Sequence, residues 1–225
     1  MSVRSRLAAG LAAAAVGWLV AGPAAAGRAG HLPLRPGPPV TDLLWVPGTL
    51  RAAGLGVAEV PGWRARGHPG PFHPQAVVVH HDASGAGPSP GTVGWLAAGF
   101  RSGTDRHYDA QLWVDTAGTW HVVAAGLAQH AGPGAGWGAV PPGGGNEYAL
   151  GVETDHTAGE AWPPALLSSL ARGLAALCAA RGWDPATRVM GHREYAPGRK
   201  QDPAGLDMDR LRRAVAAAAR DLGQR

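Results

Sequence analysis

The clearest pattern in the chain is a set of short apolar runs, rich in β-branched residues, that are separated by longer helical patterns. Strands are predicted at 75–81, 110–114, 119–124, 148–154 and, more briefly, 188–190. The second and third runs are separated by Asp115, Thr116, Ala117 and Gly118, and a Gly at the end of so short a connection is typical of a hairpin turn.

Two helices have clear start and stop signals. The first is predicted to begin at Pro163-Pro164 and to end at Gly182, and the second follows Asp207 as its N-cap and meets Gly223. Their inward faces carry Leu166, Leu170, Leu174 and Leu177 in the first helix, and Met208, Leu211, Val215 and Leu222 in the second. Strands alternating with well-separated helices predict an α/β protein, a single domain with a central mixed β-sheet flanked by helices.

Composition limits the function classes. The chain has 225 residues, of which 45% are hydrophobic, and this is enough for the core of one ordinary domain. A formal charge of +4 favours contact with polyanions such as anionic cell-wall polymers. No run of five basic residues occurs, so a nucleic-acid-binding arm is not indicated. The single cysteine, Cys178, excludes an intramolecular disulfide.

The N-terminus is typical of an exported protein. Arg4 and Arg6 precede an apolar run over 7–22, and small residues at 23–26 complete the pattern of a secretory signal peptide, predicted at 1–26. The apolar run is shorter than the roughly 20 residues of a spanning helix, which favours cleavage, with no stable membrane span, over an uncleaved anchor. A Pro- and Gly-rich linker is predicted at 27–42, and the folded domain at 43–225.

Two segments place metal-ligand residue types where an apolar strand ends. His80 and His81 are the last two residues of the first predicted strand, and they point to opposite faces, so only one can face a given site. His192 follows the last short strand, and Asp202 lies ten residues further on, beyond a loop containing Pro197. Two His and one Asp leave a fourth tetrahedral position for water, which is the composition of a catalytic zinc site. Structural histidines and a charged surface loop are the alternatives.

Two charged residues are out of pattern. Glu153 lies near the end of an apolar strand, where burial would raise the pKa of its carboxyl towards that of a general base; an edge-strand charge is the alternative. Lys200 is the only lysine among 20 basic residues. Because the chain otherwise uses Arg, this lysine indicates a position where Arg does not serve.

Together these segments resemble the type 2 N-acetylmuramoyl-L-alanine amidases, a family that includes phage amidases, bacterial wall amidases and peptidoglycan recognition proteins. The matching pieces are VVVHHDASG (77–85), the hairpin (110–124) followed by QHAG (129–132), GNEYALGVET (145–154) and GHREYAPGRKQDP (191–203). Their order and spacing match from about residue 57 to about residue 220. The segment at 59–67 and the GRK-x-DP ending are most similar to the actinobacterial and phage-type branch.

The resemblance implies roles for particular residues. His80, His192 and Asp202 match the ligands of a zinc ion (Zn2+), and Asp202 stands where recognition-protein relatives have Cys. Glu153 matches the acidic residue that takes the proton of the attacking water, and Lys200 matches the lysine that steadies the oxyanion. We therefore expect a zinc site at one edge of a cleft over the sheet, and hydrolysis of the amide between N-acetylmuramic acid and L-alanine in peptidoglycan.

Four further residues are predicted near the substrate: His130, Asn146, Trp137 and Tyr108. His130 is expected to line the cleft or to support the metal site. Many relatives carry a Tyr in the first hairpin strand, and that position is Ala110 here, so Tyr108 is the candidate substitute.

Two other functions stay open: a non-catalytic module that only binds peptidoglycan, and a different zinc hydrolase that acts on cell-wall fragments. All five key positions are filled, which argues against the first. The expected partner is peptidoglycan or a muropeptide, with action in the cell wall outside the cytoplasm, and the chain is expected to be a monomer.

Overall fold

The computed structural model describes residues 43–85, 89–99 and 109–223. The predicted signal peptide, the predicted linker and Tyr108 lie outside these residues. The elements, in chain order, are α1 (Val46–Ala52), β1 (Val57–Glu59), a 3-10 turn (Trp63–Ala65), β2 (Ala76–Val79), α2 (Thr92–Gly99), β3 (Leu112–Val114), β4 (Trp120–Val122), α3 (Gly145–Tyr148), β5 (Ala149–Thr154), α4 (Pro164–Arg181), α5 (Pro185–Arg188), β6 (Val189–Gly191), α6 (His192–Tyr195) and α7 (Met208–Gly223).

The six strands form one sheet in the order β1-β4-β3-β5-β2-β6. Only the β3–β4 pair is antiparallel, and the other neighbours are parallel. This confirms the predicted mixed sheet and the predicted hairpin, whose turn contains Gly118 at a φ of 86°. A left-handed residue of this kind is what a tight strand connection requires.

The two faces of the sheet are packed differently. On one face Val77, Val79, Leu150 and Val152 belong to the main core, which includes the inward leucines of α4 and Met208, Leu211 and Val215 of α7. On the other face Ala76, Val78 and Ala149 belong to a smaller cluster. The alternation of side chains along β2 and β5 produces this division. The smaller cluster leaves room on its face for polar groups.

The predicted helix boundaries are close to those observed. Pro163 is the N-cap of α4, and Gly182 follows its end at a φ of 63°. Asp207 Oδ1 accepts a hydrogen bond of 2.9 Å from the Arg210 N–H, so Asp207 caps α7 as predicted. The sequence did not predict α1, β1 and α2, because each is too short to show a helical or strand period. No helix in the described ranges is long and apolar enough to cross a membrane.

Candidate metal and catalytic site

Strand register places three predicted site residues in one row. Val79 of β2 pairs with Val152 of β5 on one side and with Gly191 of β6 on the other. The next position along each strand direction is His80, Glu153 and His192, respectively. Side chains in register on parallel strands share a face, so these three groups meet at the carboxyl edge of the sheet.

The two adjacent histidines after β2 separate as the alternation requires. His80 continues the face of Ala76 and Val78 and is 1% exposed. His81 lies on the opposite face, where its Nδ1 accepts a 3.1 Å hydrogen bond from the Ala204 N–H. His81 therefore supports the loop that carries Asp202, whereas His80 faces the site.

The loop after α6 returns Asp202 to the histidines through backbone contacts. The Arg193 N–H donates to the Asp202 carbonyl over 2.7 Å. The Ala204 carbonyl accepts a 3.0 Å bond from Trp162 Nε1. Because the chain is held on both sides of Pro203, the position of the Asp202 carboxylate is set before any ligand binds.

The three predicted metal ligands converge. Asp202 Oδ2 lies 3.0 Å from His80 Nδ1 and 3.0 Å from His192 Nδ1. One ligand atom from each of the three residues lies within 4.8 Å of the other two. Two imidazole nitrogens and one carboxylate oxygen are suitable ligands for zinc, and with three protein ligands a fourth coordination position stays open. The donor set therefore fits the implied ion.

Electrostatics support the same reading. Burial lowers the pKa of His80 to about 4, against the opposing effect of Asp202, so this ring is neutral at pH 7. Burial alone would raise the pKa of Asp202, but the contacts with His192 and His80 hold it well below its usual value. A neutral imidazole nitrogen and an ionised carboxylate oxygen, 3.0 Å apart, are both in the protonation state in which they can bind a cation.

Glu153 is the buried carboxyl beside this cluster. Its Oε1 lies 3.9 Å from His80 Nδ1, and its Oε2 is buried with no hydrogen-bond partner among the described residues. Burial raises the pKa of Glu153 well above its usual value; the charges of Asp202 and Asp82 raise it further, and Lys200 opposes them. A carboxyl with a raised pKa is suited to accepting and returning a proton near neutral pH.

Lys200 lies on the loop that ends at Asp202. Its backbone N–H donates a 3.0 Å bond to the Ala196 carbonyl. Its charge reaches the cluster, because it lowers the pKa of both Glu153 and His80. The predicted oxyanion lysine is therefore electrostatically coupled to the predicted general base.

The remaining predicted residues differ in their surroundings. His130 is buried against His80, with Nδ1 3.0 Å from His80 Nε2. Asn146 Oδ1 accepts a 2.7 Å bond from the Ala131 N–H, so the contact in the structure is with a loop of the chain itself. Trp137 is partly buried beneath the Arg212 guanidinium, 5.2 Å from the ring centre. Tyr108 lies outside the described residues, so its substitution for Ala110 stays a prediction.

Sequence reasoning missed the backbone and the polar groups around the ligands. The Ala131 carbonyl accepts a 2.8 Å bond from His192 Nε2, and Arg199 donates to the same oxygen. A carbonyl is common to every residue, so no sequence signal could identify it. Asp82 directly follows the histidine pair, and its Oδ2 accepts a 2.8 Å bond from Trp113 Nε1.

A surface cleft of about 470 Å³ has Asp82 in its wall, but its lining includes none of the predicted metal ligands, nor Glu153 or Lys200. Its walls also include Trp95, which is 46% exposed. The other lining residues are Ser84, Ser89, Gly91 and Thr92. By contrast, Trp162 is 9% exposed and stacks on His156, so its role is structural. The lining offers a large apolar ring beside several polar groups, a combination suited to a substrate with both kinds of surface.

The sheet and the cluster at its edge define an α/β protein with a candidate His/His/Asp metal centre. Residues 70–205, more than half of the chain, match the family model described as N-acetylmuramoyl-L-alanine amidase. The chain belongs to this family, and N-acetylmuramoyl-L-alanine amidase is its enzyme class. No curated protein sequence matches the chain. Its assignment to the actinobacterial and phage-type branch stays a prediction.

Solved structures share the fold at low sequence identity. A selenomethionine derivative of AmpD is 22% identical over 72% of this chain and 94% of its own, with a TM-score of 0.55. A mutant endolysin from Bacillus subtilis is 18% identical over 72% and 99%, with a TM-score of 0.53. The Staphylococcus aureus hydrolase AmiA in complex with its ligand is 17% identical over 73% and 82%, with a TM-score of 0.53.

Proposed function

We propose that this protein is a zinc-dependent enzyme that hydrolyses the amide between N-acetylmuramic acid and L-alanine in peptidoglycan, outside the cytoplasm. The observation that carries the zinc dependence is the convergence of His80, His192 and Asp202, with Asp202 Oδ2 3.0 Å from Nδ1 of each histidine. When bound there, zinc would act as a Lewis acid and lower the pKa of a water towards about 7.

The roles of the neighbouring side chains follow from their charges. Glu153 accepts a proton from the attacking water, whose oxygen bonds to the carbonyl carbon of the amide. When the carbon–nitrogen bond then breaks, the same carboxyl returns the proton to the departing nitrogen. The burial and neighbouring carboxylates that raise the pKa of Glu153 make its carboxylate a stronger base for the first transfer.

Lys200, which is positively charged, stabilises the negative charge that forms when the water adds to the amide. Its ammonium donates to the former carbonyl oxygen, on which negative charge develops as the water adds. Two observations support this role: Lys200 lies two residues before Asp202 in the same loop, and its charge lowers the pKa of Glu153. In this proposal the His/His/Asp cluster holds the metal, Glu153 is the general base and Lys200 stabilises the oxyanion.

The cleft lined by Asp82 and Trp95 is the proposed path of the substrate. Trp95 exposes the apolar ring on its wall, and Ser84 and Ser89 are polar lining residues. The net charge of +4 favours approach to an anionic wall. We further propose that the segment at 1–26 is a signal peptide, in keeping with a wall substrate.

Metal content and product identity test the proposal. We expect about one zinc per chain in the purified mature protein, and loss of both zinc and activity in His80→Ala and His192→Ala. His121→Ala is the matched control, since His121 lies on β4 and pairs with Asp115 over 3.1 Å, away from the cluster. Mass spectrometry of digested wall should show free L-alanine amino termini.

Each alternative gives a different product. Wall that is bound but left intact would identify a binding module. Cleavage within the stem peptide, or loss of acetyl groups from the glycan, would identify another zinc hydrolase. Cleavage at full rate by zinc-free protein would refute the metal site.

A further inference from the structure

Two consecutive residues of the loop after β4 contact the two histidines on the side away from Asp202. His130 Nδ1 lies 3.0 Å from His80 Nε2, and the two rings meet edge to face at 84°. The next residue, Ala131, offers its carbonyl oxygen to His192 Nε2 over 2.8 Å. Each candidate metal ligand therefore has its second ring nitrogen engaged by the same short segment.

The direction of each hydrogen bond follows from the groups at its ends. A carbonyl oxygen only accepts, so the 2.8 Å contact with Ala131 places the proton of His192 on Nε2. Arg199 Nη2 lies 3.3 Å from the same nitrogen, but it donates to the Ala131 carbonyl instead. The Ala149 carbonyl lies 3.3 Å from His130 Nε2, so His130 also carries its proton there and accepts at Nδ1. His80 Nε2 must then donate to His130. Both histidines are left with a lone pair on Nδ1, the atom that faces Asp202.

The segment is held in place from both sides. Asn146 Oδ1 accepts bonds of 2.7 Å from the Ala131 N–H and 3.4 Å from the Gly132 N–H. On the sheet, the His130 ring lies over Gly151, where an added Cβ would be 2.5 Å from His130 Cγ. Gly151 thus provides the space that lets a histidine ring lie flat beside β5.

We propose that the His130-Ala131 dipeptide sets the tautomer of both metal-binding histidines, His80 through the His130 ring and His192 through the Ala131 carbonyl. This inference rests on the proposed function, because it assigns the dipeptide to the zinc ligands. His130 is a positioning residue: it acts through His80 and touches no reacting atom. Of the two predicted roles of His130, lining the cleft or supporting the metal site, the inference assigns it the second.

The tautomers can be read directly in the wild-type protein. Two-bond proton–nitrogen NMR correlations of ¹⁵N-histidine-labelled, zinc-loaded protein report which ring nitrogen carries the proton. We expect His80, His192 and His130 each to carry it on Nε2, and the two ligands to bind zinc through Nδ1. Zinc on Nε2 of either ligand, or a proton on His130 Nδ1, would overturn the inference.

Variants of His130 separate a hydrogen-bond role from a space-filling one. In His130→Asn the side-chain Oδ1 stands close to where Nδ1 stood and can still accept from His80. In His130→Ala no acceptor remains. Loss of an outer hydrogen-bond partner weakens metal binding by about 10–100-fold, so we expect this loss of zinc affinity in the Ala variant and recovery of most of it in the Asn variant.

The measurement is a zinc dissociation constant from competition with a chelator, with a thermal melt of each zinc-free variant to check folding. His121→Ala is the control, and its dissociation constant should equal that of wild type. Equal weakening in His130→Asn and His130→Ala would overturn the inference. If His130→Ala does not fold, the Asn variant and the wild-type NMR decide it.

Failure of the proposed function and failure of this inference give different results in the zinc measurements. Wild-type protein that takes up no zinc would refute the proposed function, and with it this inference. Zinc uptake with the wrong ring nitrogen bound would refute the inference alone, and would leave the amidase proposal standing.

Discussion

Gly151→Ala is the most direct test of how the sheet shapes the metal site. An ideal Cβ at this position lies 2.5 Å from Cγ, 2.8 Å from Cδ2 and 2.9 Å from Nδ1 of His130. Ordinary contacts begin near 3.4 Å, so the ring must retreat by about 0.9 Å. The 3.0 Å contact between His130 and His80 would then be lost or compressed.

The magnitude combines two opposing effects. Overpacking a close-fitted core costs about 1–3 kcal/mol, whereas replacing Gly by Ala within a strand recovers about 0.5–1 kcal/mol of backbone entropy. We expect the free energy of unfolding of the zinc-free protein to fall, by up to about 2.5 kcal/mol. Displacement of the outer ligand partner should also weaken zinc binding by about tenfold or more.

Urea unfolding of the zinc-free protein and chelator competition measure the two quantities separately. The zinc-free form is required because bound zinc would itself add to the apparent stability. Gly48→Ala is the matched control: Gly48 lies in α1 with nothing within 4 Å of its ideal Cβ, so this variant should gain up to about 1 kcal/mol. Unchanged stability and unchanged zinc affinity in Gly151→Ala would refute the close fit between β5 and His130.

Three further outcomes are expected. Glu153→Gln should keep its zinc but lose about 10²–10⁴-fold in turnover, because an amide cannot accept the proton; a rate within a few-fold of wild type would make Glu153 structural. Lys200→Arg should lower turnover by about 10²–10³-fold with zinc unchanged, since a planar guanidinium does not replace a compact ammonium; near-normal rates on a soluble muropeptide would contradict this. Burial lowers the pKa of His156 to about 4, so the protein should lose stability as the pH falls from 6.5 towards 4 and this buried ring has to be protonated. His156→Phe keeps the stack on Trp162 but cannot titrate, so its free energy of unfolding should fall less across that pH range.

Local patterns were enough for the secondary structure that frames the site. The β-branched run before His80 and the spacing of the leucines in α4 are local signals, so the ends of β2 and α4 were predicted to within two residues. The β3–β4 hairpin followed from Gly118 in the same way. The short elements α1, β1 and α2 were missed because their burial depends on neighbours distant in sequence, which no local period records.

The sequence by itself determined which residue types stand at the strand ends: His80 after β2, Glu153 in β5, and His192 after β6. Tertiary structure decided which of their atoms meet. The row that joins these residues depends on strand register, and the return of Asp202 depends on a loop closed through backbone bonds. The partners behind the ligands, the His130 ring and the Ala131 carbonyl, come from a segment some 50 to 60 residues away. Hydrogen bonds between residues so far apart in sequence depend on tertiary packing, because no local sequence pattern fixes which donor will meet which acceptor.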